Sequence, residues 1–131
     1  MWEATYIEWK KALDEAKIDE DTILAGLSAG GAACIRYMAV EKKTIDKLIL
    51  IAPAALTEKE YLLIDDNTKN QIKNGTTIFV SDDEPYVDIQ DAVKVYEKKF
   101  DAKVIRFSDR GHFSFLIKTF PELLEEILKN K

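Results

Sequence analysis

A chain of 131 residues, 47% hydrophobic and 33% charged, is long enough to bury one core and has the composition of an ordinary globular protein, so a single domain over 1–131 is expected. Its net charge of −5, with no basic stripe, argues against a nucleic-acid partner, and one cysteine with one histidine excludes an internal disulfide and argues against a zinc centre. No apolar run approaches the length of a membrane span and no signal peptide is read at the start, so the expectation is a cytoplasmic protein away from the membrane.

Trp2, Tyr6, Trp9, Leu13 and Ala16 recur at helical spacing, which predicts a first helix with one apolar face packed on a sheet. Asp19-Glu20-Asp21 reads as a solvated turn rather than a metal site. Thr22–Ala25 then reads as a short buried strand, and Ala32–Met38 as a helix carrying Cys34 as a core thiol. Lys47–Pro53 and Thr76–Val80 are continuous apolar runs of the kind found in strands covered on both faces. Between them, Ala54–Gly75 is looser and reads as one or two short helices ending in an Asn74-Gly75 turn. Ile89, Ala92, Val93, Tyr96 and Phe100 mark an amphipathic helix, Lys103–Phe107 a fourth strand, and Pro121–Leu128 a closing helix with proline in its first turn. Strands alternating with helices predict an α/β fold: a three-layer αβα sandwich around a mostly parallel sheet of about four strands.

In such a sheet the C-terminal ends of all strands share one edge, where ligand sites form. Three kinds of chemical group fall just past strand ends. Gly26-x-Ser28-x-Gly30 sits between strand and helix, the context of a nucleophile elbow, which holds a serine hydroxyl clear of the sheet in strained backbone. Side chains at the flanking glycines are expected to collide with the neighbouring strand or helix. The second group is the acidic cluster Asp82-Asp83-Glu84, and the third is His112, the one histidine in the chain. A serine needs a base to become nucleophilic near neutral pH, and the base needs an acid to fix its tautomer and stabilise its cation. The order serine, acid, histidine is the hydrolase order.

Over nearly its whole length the chain resembles the small serine hydrolases of the retinoblastoma-binding protein nine type. The resemblance runs through Asp21-Thr22-Ile23-Leu24-x-Gly26-x-Ser28-x-Gly30, the strand Leu48–Pro53, Ser81-x-Asp83-Glu84-Pro85-Tyr86-Val87, and Phe107-Ser108-Asp109-x-Gly111-His112-Phe113. It implies that Ser28 is the nucleophile and His112 the base. The family's acid, an aspartate before proline, falls at Glu84, with Asp83 as the alternative and Asp82 third. Leu27 stands where the family usually has histidine.

The family also begins with a strand, a glycine-rich loop and a helix that this chain does not show. Two expectations follow. The oxyanion hole would keep the amide of Ala29 and lack the donor of that loop, a loss of roughly 2.7–4 kcal/mol in the transition state. The strand before the elbow would be an unpaired apolar edge, which predicts a homodimer covering it. Two functions are consistent with these residues. One is a carboxylesterase-like hydrolase of small acyl esters, with Leu27, Tyr86, Phe113 and Phe115 lining the acyl pocket. The other is a catalytically weak or inactive binding module on the same scaffold. Neither implies a cofactor.

Overall fold

The computed structural model describes residues 2–113 and 120–129, with side chains from Tyr6 onward. Its strands are β1 (Ile23–Leu27), β2 (Lys47–Ile51), β3 (Thr76–Ser81) and β4 (Lys103–Phe107), all parallel and in the spatial order β1-β2-β3-β4. The helices are α1 (Trp2–Glu15), α2 (Ala29–Glu41), α3 (Glu58–Leu63), α4 (Asp66–Asn70), α5 (Val87–Phe100) and α6 (Pro121–Leu128).

Each strand lies beside its predecessor, so right-handed crossovers carry α2, the α3–α4 pair and α5 over one face of the sheet. The other face is held by α6. Ile49 pairs with Thr77 and Thr77 with Lys103, so Lys47, Thr77 and Lys103 point the same way. All three reach the buried Glu126 of α6. Thr77 donates to its carboxylate at 2.7 Å and Lys103 at 3.3 Å, while Lys47 donates to its backbone oxygen at 2.8 Å. One layer further along the strands, Phe79, Phe107, Phe113 and Phe120 stack in an aromatic cluster on this face.

Burial follows position in the sheet. Every residue of the central strands β2 and β3 is buried, whereas β1 alternates and leaves Ala25 and Leu27 exposed. The expected first strand therefore extends past Ala25 to Leu27. The region 54–75 resolves into two helices, each opened by a reciprocal capping box, Thr57 with Glu60 and Asp65 with Thr68. Helix α1 departs from expectation: it packs on α2 as well as on the core. Tyr6 lies under the Arg36 guanidinium at 3.9 Å, the Trp9 ring covers Gly30, and Asp14 accepts from the Tyr37 hydroxyl at 2.6 Å. Among the described side chains of this face, Leu13 packs on the core cluster as a partly buried residue.

Candidate active site

Ser28 links β1 to α2 with φ 55° and ψ −121°, a region that residues with a Cβ enter at a cost of about 1–3 kcal/mol. Its backbone is pinned on both sides. The Ser28 amide donates to Ile51 O at 2.9 Å, and its carbonyl accepts from Gly31 N and Ala54 N, both at 3.1 Å. The side chain makes no capping bond to the helix it begins. Ala29 is the first residue of α2, so its N–H has no partner within the helix and points out at the helix's positive end.

The glycines divide by function. A Cβ on Gly26 would lie 2.6 Å from the backbone of Gly30 and Gly31, so the strand and helix meet here only because this residue has none. A Cβ on Gly31 would press on Leu50 at 3.2 Å and on Gly26 O at 3.3 Å. Gly30, the third residue of the elbow pattern, differs from expectation. A Cβ there would meet only the Trp9 ring at 3.4 Å, an ordinary contact.

The three carboxylates after β3 take three directions. Glu84 is buried, with its side chain fully covered, and its Oε2 lies 2.8 Å from His112 Nδ1. Its other oxygen accepts from the Tyr86 amide at 3.2 Å. A carboxylate at this distance favours the tautomer with its proton on Nδ1, in which Nε2 is the acceptor. Asp83 turns away from the ring: its Oδ1 accepts from Gly111 N at 2.8 Å and from the Ser81 hydroxyl. The Ser81 hydroxyl, then the Gly111 amide, hold its carboxyl below the ordinary aspartate range. Asp82 is exposed and faces Arg106 at 3.3 Å.

Tyr86 meets the His112 ring edge-on, with centroids 5.1 Å apart, and is 56% exposed. Leu27 is 41% exposed at the end of β1. Phe113 does not line a pocket. It is buried between Phe107 and Phe120, because a positive φ of 58° turns its side chain down onto the sheet immediately after His112. Phe115 lies outside the described residues. Sequence reasoning assigned no role to Ser81 or Gly111, although both sit inside the quoted motifs and their serine and glycine identities were the available signal.

A strained serine elbow and a carboxylate–histidine pair at the C-terminal edge of a parallel sheet define an α/β-hydrolase. A sequence model described as serine hydrolase matches residues 1–118, and the chain belongs to that family. Solved structures agree on the fold. A predicted CIB-like hydrolase from Thermoplasma acidophilum superposes with a TM-score of 0.66 at 19% identity, over 97% of this chain and 57% of that one. A structure from a study of carboxylesterases of the thaumarchaeon Nitrososphaera gargenis gives 0.66 at 10% identity, over 98% and 70%. MGS-MChE2, an α/β-hydrolase from a Moroccan lagoon-sediment metagenome, gives 0.65 at 19% identity, over 98% and 69%. The chain thus spans little more than half the length of the first of these. Among curated proteins, none matches the sequence.

Proposed function

We propose that this protein is a serine hydrolase of small acyl esters, with Ser28 as nucleophile, His112 as base and Glu84 as the acid. The observation that carries this reading is the 2.8 Å contact between a fully covered Glu84 carboxylate and the one histidine, on the sheet edge that also holds the Ser28 elbow. Ser28 Oγ attacks the ester carbonyl as His112 Nε2 takes its proton, and the ring, now a cation, is stabilised by Glu84. The oxyanion that develops is met by the Ala29 amide at the start of α2. Collapse of the tetrahedral intermediate expels the alcohol, which receives the proton from His112. Water, activated by the same ring, then releases the acid and restores the serine. Leu27 and Tyr86, apolar and exposed beside the elbow and the ring, would flank the acyl group.

Hydrolysis of p-nitrophenyl acetate and butyrate tests this. Glu84→Gln is expected to lower kcat by about 10⁴-fold, because an amide no longer enforces the Nδ1–H tautomer. Turnover unaffected by either Glu84→Gln or Ser28→Ala would contradict the assignment.

The same reading includes a partner. Among the described residues β1 pairs with β2 alone, so its outer edge of backbone N–H and C=O groups is open, with Ala25 and Leu27 exposed beside it. A second copy pairing on that edge would satisfy both. Sedimentation equilibrium is expected to give a dimer whose dissociation is promoted by Ala25→Pro; a monomer across the micromolar range would refute it.

A further inference from the structure

The histidine loop is held from beneath by groups that take no part in the proposed proton transfers. Ser81, the last residue of β3, is wholly buried, and its side chain points to the α6 face beneath the loop that follows β4. Its hydroxyl accepts from Arg110 N at 3.0 Å and donates to Asp83 Oδ1. That same oxygen accepts from Gly111 N at 2.8 Å. Two consecutive amides immediately before His112 are therefore tied to one serine–aspartate pair. The Ser81 backbone oxygen meanwhile accepts from Glu84 N at 3.1 Å and from the Gln90 side chain at 2.9 Å, which fixes the carboxylate side of the pair to the same residue. The loop needs such support. Gly111 and Phe113 both have positive φ, 54° and 58°, so His112 stands between two left-handed residues rather than in a regular element.

We propose that Ser81 and Asp83 form a clamp that sets His112 against Glu84, making Asp83 a positioning residue of the site. The inference rests on the reading of His112 and Glu84 as base and acid, and it gives Asp83 a role distinct from the acid. Two neighbouring carboxylates thus divide the work. Glu84 meets the ring, and Asp83 meets the backbone that carries the ring. Asparagine at position 83 can still offer Oδ1 to Gly111 N and the Ser81 hydroxyl, whereas alanine cannot.

The test uses the fact that the chain has one histidine, so its ring signals are unambiguous. In ¹⁵N-labelled protein the His112 Nδ1 proton is expected to be observed in wild type and Asp83→Asn, and lost to solvent exchange in Asp83→Ala. Because small misplacement of a catalytic group costs up to about 10²-fold, kcat for a p-nitrophenyl ester is expected to fall roughly 10- to 100-fold in Asp83→Ala. KM should stay unchanged, and Asp83→Asn should recover most of the rate. A Ser81→Ala variant should repeat the Asp83→Ala pattern in weaker form. If wild type hydrolyses no ester yet the proton is lost only in the alanine variants, the clamp stands and the hydrolase reading falls. A proton signal that is the same in all these proteins, or an Asp83→Asn variant as impaired as Asp83→Ala, overturns the clamp.

Discussion

At Gly26 the absence of a single carbon atom decides whether the elbow can close. A Cβ at this position would come within 2.6 Å of the backbone of Gly30 and Gly31, which cannot swing aside as a side chain could. Gly26→Ala is therefore expected to cost about 3 kcal/mol or more, at or above the upper end for overpacked sites, read as a lower urea midpoint. Gly30→Ala should change the midpoint little, since the added Cβ would make only an ordinary contact with Trp9. The elbow pattern in the sequence treats the two glycines as equivalent, and the distinction lies in what packs on each: the α2 backbone on Gly26 and the Trp9 ring of α1 on Gly30. Cys34 shows the opposite case, where the expectation of a core thiol from its apolar neighbours agrees with its position. It is buried on α2, and burial pushes its thiol up to about 11. The reactive thiolate is then scarce at pH 8. Iodoacetamide should leave the native protein unmodified at that pH and label it fully in urea; rapid labelling of folded protein would show that Cys34 is accessible.

Helix α6 is tied to the sheet through one buried carboxylate. Glu126 is 5% exposed and faces Lys47, Lys103 and Lys129 at 3.9, 3.3 and 3.3 Å, with Thr77 completing its hydrogen bonds. Breaking a buried pair by removing one partner strands the other, at about 3–5 kcal/mol. Glu126→Ala should lose about 3 kcal/mol by that mechanism, measured by chemical denaturation at pH 7. Burial would raise this carboxyl, but the Thr77 hydroxyl and the Lys129 and Lys103 ammoniums outweigh it and hold it below the usual range. Its folded value lies below its unfolded one, near 4.3, so its contribution is complete above that value and is lost as pH falls through the lower folded value. The stability gap between wild type and Glu126→Gln should accordingly close on acidification; a gap independent of pH would contradict the pairing.

The legibility of the elements follows from how local their causes are. The runs Lys47–Pro53 and Thr76–Val80 read as doubly covered strands because neighbours on both faces require apolar side chains at nearly every position; of the polar exceptions Lys47, Thr76 and Thr77, Lys47 and Thr77 face α6. Those two polar residues became intelligible only with α6 in place, since their partner Glu126 is 49 residues from Thr77 and 79 from Lys47. The aromatic face of α1 read as sheet-facing, but helical periodicity specifies that a face is buried and not what buries it; here much of it is α2. Serine, acid and histidine were legible as residue types in hydrolase order. Which of the adjacent carboxylates meets His112 was not, because it depends on the turn after β3, where Ser81 captures Asp83 and leaves Glu84 facing the ring.

For the molecule as a whole, the crossovers gather the ends of four parallel strands at one edge, so residues up to 84 positions apart in sequence (Ser28 and His112) are carried on loops of the same rim. Family membership and the solved hydrolases agree with that architecture, and the chain corresponds to 57–70% of the length of the three compared above. Whether the rim works as a catalytic centre turns on Ser28 being nucleophilic, with the Ala29 amide as its oxyanion donor. The direct measurement is to incubate the pure protein with a fluorophosphonate probe and map the adduct by peptide mass spectrometry, alongside Ser28→Ala and His112→Ala. One adduct is expected, on Ser28, absent from both variants. A folded, monodisperse wild-type protein that takes no label, or takes it equally without His112, would contradict it.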